Sequence, residues 1–145
     1  VVPVNKGYFQ ALEEAGLKPD ASLVARVHSF DFAAGEDGAR YLANLPEPPT
    51  AIFAICDLVA AGAMQALKSL GYRIPEDIAL VGVDDIPAAQ WLDPPLTTIS
   101  TPSYEMGKSA MQMLQAIIAE KPLPQQQITF PVSLIVRRSC GCRRG

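Results

Sequence analysis

The chain has 145 residues, 49% hydrophobic and 19% charged, with a formal net charge of −3. That length fits one ordinary domain, and so apolar a composition supports a packed core and excludes a disordered chain. A mildly acidic chain is not itself a grip for nucleic acid, because phosphate binding needs a basic face.

The only basic clusters are Arg137-Arg138 and Arg143-Arg144, which read as a solvated tail. No apolar run approaches the roughly 20 residues of a membrane span, and no charged-then-apolar leader is present, so no membrane partner is expected. The chain begins Val1-Val2-Pro3 without a methionine, as expected of a fragment or a processed product. Cys56, Cys140 and Cys142 are an odd number and make no disulfide framework, so a reduced, cytoplasmic setting is expected. The 13 prolines are scattered and punctuate elements instead of forming a linker.

In chain order, Tyr8, Leu12 and Ala15 recur at helical spacing and stop at Gly16. Leu23 to Val27 alternates like a strand. A helix is predicted from about Ala34 to Leu45, before Pro46. Ala51 to Ile55 is short and continuously apolar, the pattern of a strand buried on both faces. Asp57 follows and is placed to cap a helix through Leu70, closed by Gly71. Ile78 to Val83 repeats the buried-strand pattern and ends at Asp84-Asp85. Asp93-Pro94-Pro95 turns the chain into a short strand, Leu96 to Ile99. From Tyr104 to Ala119 the apolar positions Met106, Ala110, Met113, Leu114, Ile117 and Ile118 define an amphipathic helix with one core face. Pro122 and Pro124 end it, and Phe130 to Val136 is a final strand. Strands alternating with helices predict an α/β fold with a mainly parallel sheet flanked by helices.

In such a sheet, ligands bind beyond the carboxyl ends of the strands. Three strand ends deliver Asp31-Phe32, Cys56-Asp57 and Asp84-Asp85. Carboxylates accept hydrogen bonds from hydroxyl or amine donors, and an aromatic face covers an apolar ring surface, so a sugar, nucleoside or similar polar molecule would suit them. Each residue has a plainer alternative. Asp57 caps its helix, Asp85 shapes a turn, Phe32 is core, and Cys56 is a small buried hydrophobe. His28 is the only histidine and reads as one that satisfies its own hydrogen bonds. Cys140 and Cys142 with distant His28 fall short of the four ligands of a structural zinc site, so no metal or cofactor is expected. No phosphate-cradling glycine loop, nucleophile elbow or nucleophile–base pair can be assembled, so an enzyme is not expected. A phospho-receiver would need a phospho-accepting Asp downstream of its acidic pair, and no Asp follows Asp93.

The stretch from Ala51 to Ile99, AIFAICDLVAAGAMQALKSLGYRIPEDIALVGVDDIPAAQWLDPPLTTI, resembles the LacI/GalR family of transcription regulators. There a strand ends in Asn-Asp, a helix carries Ala-x-Gly-Ala, and Gly-x-x-(Val/Ile)-Pro precedes a strand ending Gly-(Phe/Tyr)-Asp-(Asp/Asn). Pro-x-Leu-Thr-Thr-Ile follows, here Pro94 to Ile99. KGYFQALEEAGL, DFAAGEDGA, PSYEMGKSAMQML and FPVSLIVRRSCG carry the likeness along the rest of the chain.

The resemblance implies part of a two-lobed, periplasmic-binding-protein-like type I domain with an effector between the lobes. Residues 1–95 and 130–145 would form the carboxyl-terminal lobe, and 96–121 would return to the amino-terminal lobe. A DNA-binding helix-turn-helix would precede Val1. By position, Asp84 resembles the family's effector-binding aspartate and Phe32 its packing aromatic. Cys56 replaces a frequent ligand-contacting Asn beside Asp57, and Val4 stands where an Arg is common, so a typical sugar-binding set is incomplete. The implied function is effector binding that controls operator affinity, with operator DNA reached through a separate domain and a homodimer as the working form. Ala60, Ala61, Ala63, Met64 and Trp91 are expected at the dimer contact. The alternative is a sensory or solute-binding module of a signalling protein or sugar transporter.

Overall fold

A computed structural model describes residues 4–123 and 125–142. Its elements run α1 (Val4–Glu14), α2 (Phe32–Ala43), β1 (Ala51–Phe53), α3 (Asp57–Ser69), β2 (Ala79–Asp84), β3 (Thr97–Ser100), α4 (Ser103–Ile118) and β4 (Ser133–Ile135). The sheet order is β1-β2-β3-β4, with β1 and β3 parallel to β2 and β4 antiparallel to β3. The α/β, mainly parallel architecture expected from the sequence is the one observed.

α2 and α3 pack with their backbones in direct contact at two glycines. A Cβ on Gly35 would overlap the Val59 carbonyl, and one on Gly62 would overlap the Phe32 carbonyl, so only glycine admits the neighbouring backbone at either point. α3 then seals the core between α2 and the sheet. Ala60, Ala63, Met64 and Leu67 are buried with Ile74, Ile78, Leu80 and Leu96. Ser139 fastens the far side: its hydroxyl donates to the Leu80 carbonyl at 2.6 Å and accepts from the Thr97 N–H at 2.8 Å.

Four expectations fail here. Leu23 to Val27 is not a strand. Ala21–Leu23 is a 3-10 turn capped by Asp20, and Val24 to His28 pairs with no strand among the described residues, with a cavity between it and β1. β1 is not buried on both faces: Ala51 and Phe53 are exposed, since β1 is an edge strand here. α4 is amphipathic but has no core face, because no element packs well enough on it to bury a single residue. The segment that leaves the sheet begins after Ser100 and not at Leu96, because Leu96 is fully buried and Thr97–Ser100 pair with β2. The assumed end signal at Pro124 lies outside the described residues.

Candidate functional site

β1 and β2 run parallel, so their carboxyl ends open on the same edge as the amino ends of α2 and α3. The Asp31 carboxylate accepts the Ala34 N–H at 2.8 Å and caps α2. Hydrogen bonds from Ala34 and Ser29 hold its carboxyl below the usual carboxylate range. Phe32, the first residue of α2, is 40% exposed and is not core. Cys56 is half-buried, with its thiol donating toward the Phe30 carbonyl at 3.8 Å, which ties the start of α3 to the loop before α2.

Asp57 is neither a cap nor an available ligand contact. Cys56 holds the N-cap position, and no side chain caps α3. Asp57 sits one residue inside the helix, 0% exposed. Its two oxygens accept the Thr98 hydroxyl at 2.5 Å and the Ile86 N–H at 2.9 Å. A Cβ on Gly82 would overlap the same carboxylate, so Gly82 is the residue that lets β2 pass it. Fully enclosed, Asp57 is a positioning residue that locks α3 to β3 and to the loop after β2.

That loop carries the exposed acid. Asp84 ends β2 with φ 106° and Asp85 follows with φ 54°, two successive non-glycine residues in the left-handed half of backbone space. Such conformations are sparsely populated and concentrate at functional sites. Asp85 is held by Arg137 at 2.7 Å, and Arg137 also donates to the Leu96 carbonyl at 2.9 Å. Arg137 is therefore no solvated tail, whereas Arg143-Arg144 lie outside the described residues. The Asp84 carboxylate, on the residue that pairs with Ser100 at the end of the ladder, has no hydrogen bond or ion pair among the described residues and makes no turn-shaping bond to Asp85. Burial of its surroundings, with the Asp57 charge behind it, pushes its carboxyl above the usual range. The structure thus joins Phe32, Cys56 and Asp84 to one sheet edge, with Asp57 beneath them.

Reading the sequence missed Thr98, Arg137 and Ser139. Only Arg137 offered a signal, as a cation after an apolar strand. The side chain of Val4 lies outside the described residues.

A cavity of about 610 Å³ reaches Phe30 and Ile55, but not Phe32, Cys56 or Asp84. Among the described residues, no three His, Cys, Asp or Glu side chains are grouped to hold a metal, and no helix is long and apolar enough to cross a membrane. The three cysteines are free thiols.

The profile of the periplasmic-binding-protein-like domain family matches residues 2–140. The chain belongs to this family. Among relatives of this periplasmic-binding-protein-like chain, the transcriptional repressor CytR of Escherichia coli K12 is 44% identical over 109 residues, 75% of this chain and 32% of the repressor. The ribose operon repressor of Haemophilus influenzae is 41% identical over 134 residues, 92% of this chain and 40% of that one. A solved complex of the regulator CelR with cellobiose has a TM-score of 0.84 at 34% identity, covering 93% of this chain and 41% of that one. A LacI-family regulatory protein from Chloroflexus aggregans has a TM-score of 0.82 at 34% identity, covering 93% and 48%. The resemblance to LacI-type regulators therefore holds, and the chain spans about a third to two fifths of the curated relatives it matches.

Proposed function

We propose that this domain binds a small polar effector at the carboxyl edge of its sheet and, within a longer LacI-type regulator, turns that binding into a change of operator affinity. The observation that carries the reading is Asp84, an unpartnered carboxylate held at φ 106° on the strand end. Its oxygens accept hydrogen bonds from ligand hydroxyls or amines. The Phe32 ring covers an apolar ligand face, and Cys56 lines the rim between them. The printed names of the relatives and neighbours, a ribose operon repressor and a cellobiose complex, support a sugar or a sugar-bearing nucleoside as the ligand class. A thiol in place of an amide at Cys56 removes two donors and an acceptor, so the ligand is held differently from one gripped by an Asn there.

The role is binding without catalysis, in the cytoplasm, with operator DNA reached through a DNA-binding part outside this sequence. Because the relatives are repressors, solute transport is the less favoured reading. A homodimer is supported by Trp91, 81% exposed in the loop before Pro94, and by Leu58 on the open face of α3. Ala60, Ala63 and Met64, expected at that contact, are buried in the core of this chain, and Ala61 beside them is half-buried. An effector that favours one lobe arrangement by roughly 1–3 kcal/mol would shift operator affinity about 5–150-fold.

Calorimetric titration of the intact regulator with a panel of pentoses, hexoses, disaccharides and nucleosides tests the site. Asp84→Asn keeps the shape and removes the charge, so affinity for the bound member falls about 10- to 100-fold. Unchanged affinity would remove Asp84 from the site and the reading with it.

A further inference from the structure

The three free thiols are not alike. Cys56 stands by itself at the start of α3, whereas Cys140 and Cys142 lie on either side of Gly141, and neither the core nor the ligand edge uses them. The chain turns where they sit. The Gly141 N–H donates to the Arg138 carbonyl at 3.4 Å, and Gly141 itself has φ 73°. Extended chain would hold the two cysteine Cα atoms about 7 Å apart, at the outer limit for a disulfide. A left-handed glycine folds the chain and shortens that span. The two side chains come within hydrogen-bonding reach of each other.

The turn is held from both ends. Ser139, fully buried, is bonded to Leu80 and Thr97, and a Cβ on Gly141 would stand 3.5 Å from Pro75. The pair is therefore set in place by the fold and not merely by its spacing. The two thiols also differ from each other. Cys140 is half-buried and its thiol donates to the Arg137 carbonyl at 3.9 Å. Burial pushes that thiol up, but hydrogen bonds from Thr97 and Cys142 outweigh it and hold Cys140 below the usual thiol range. Cys142 is exposed, and the hydrogen bond and charge of Cys140 push it above that range. The thiolate is the attacking form of cysteine, and redox-responsive cysteines stand next to a second thiol that resolves the first adduct.

We propose that Cys140 and Cys142 are a redox modification site, which a low-molecular-weight disulfide oxidises to an intramolecular disulfide with Cys140 attacking and Cys142 resolving. The Cys140 thiolate attacks one sulfur of the small disulfide. That S–S bond breaks, and the small thiolate that leaves takes up the proton Cys140 released. Cys142 then gives up its proton, attacks the Cys140 sulfur and expels the second small thiol. The two cysteines lose two electrons and two protons in all, and the small disulfide becomes two thiols. Cys56 has no second thiol beside it and cannot close a ring. In a reducing setting such a pair is oxidised only transiently, which suits a responsive site and not a structural cross-link. Its place in the fold gives it a contact with the sheet, since Thr97, the hydroxyl beside Cys140, opens β3.

The test treats the reduced full-length protein with glutathione disulfide, blocks the remaining thiols with iodoacetamide and reads tryptic peptides by mass spectrometry without reduction. Cleavage after Arg138 and Arg143 isolates both cysteines in one peptide. The proposal expects that peptide to lose two hydrogens and to carry neither glutathione nor alkyl groups, while Cys56 is alkylated. In Cys142→Ser, glutathione should stay on Cys140. In Cys140→Ser, the adduct on Cys142 should form about threefold or more slowly than the adduct on Cys140 in the other variant. In urea the parent pair should close about threefold or more slowly than in the folded protein. Alkyl groups or stable glutathione on both cysteines of the parent peptide overturn the proposal, as does oxidation of Cys56 ahead of the pair. A disulfide between two copies, seen as a dimer on a non-reducing gel, overturns pairing within the chain. A faster adduct in Cys140→Ser overturns the roles, and an equal rate in urea overturns the part given to the folded turn.

Discussion

α3 and α4 are both amphipathic helices, 13 and 16 residues long, and they have opposite fates. α3 buries most of one face between α2 and the sheet, whereas α4 buries nothing. Their apolar side chains are of comparable chemistry, so hydrophobicity does not separate them. α3 carries Gly62 and a run of alanines, which let α2 approach to backbone contact, and it follows β1 by a short connection that lays it on the sheet. α4 offers Met106, Leu114 and Ile117 to no partner element that buries them. An amphipathic pattern states that a helix has a face to bury, and the surrounding elements decide whether it does.

Substitutions sharpen that contrast. Leu67→Ala in α3 removes a fully buried side chain from the core and should cost about 4 kcal/mol in urea unfolding. A cost below about 1 kcal/mol would mean that α3 is as loosely held as α4. Asp57→Ala strands the Thr98 hydroxyl and the Ile86 N–H at the other end of α3, and about 3 kcal/mol should be lost. Ser139→Ala strips the Leu80 carbonyl and the Thr97 N–H of their shared partner and should cost about 2 kcal/mol. Leu114→Ala in α4, at a position 47% exposed, should change stability by about 0.5 kcal/mol or less. A loss as large as that of Leu67→Ala would show α4 packed in solution.

The smallest effect has the opposite sign. Asp84 has a raised carboxyl pKa, so the folded chain binds that proton more tightly than the unfolded chain. Its contribution is fully favourable below the ordinary carboxylate value and is lost as pH rises through the raised one. At neutral pH Asp84→Asn should therefore melt slightly higher than the parent chain, and the advantage should vanish in acid. A lower melting temperature at neutral pH would make Asp84 a structural residue.

The packed half of the molecule was legible because its signals are local. The apolar run ending at Asp84, the glycine after α3 and the alternation of strand and helix each follow from a few neighbouring residues. What escaped depends on distant partners. Val24–Val27 has a strand's pattern, but a ladder needs a second strand beside it. Asp57 reads as a cap because Asp favours caps, yet its partners stand 41 and 29 residues away. Arg137 looked like a tail because its carboxylate, Asp85, is 52 residues back. Asp84 and Phe32, singled out from the sequence, are exposed in the structure, while the buried groups that hold their loops carry no local signal.

The serine that fastens the sheet also sets a schedule. Ser139 bonds to Thr97 and Leu80, 42 and 59 positions earlier in the chain. At roughly 5–20 residues per second of synthesis, Thr97 would wait about 2 to 8 seconds for that hydroxyl to be made, and Leu80 longer. Until then the Leu80 carbonyl and the Thr97 N–H, near the starts of β2 and β3, lack that partner. The half of the molecule that contains α3 is therefore completed only when the residues that follow α4 have been made.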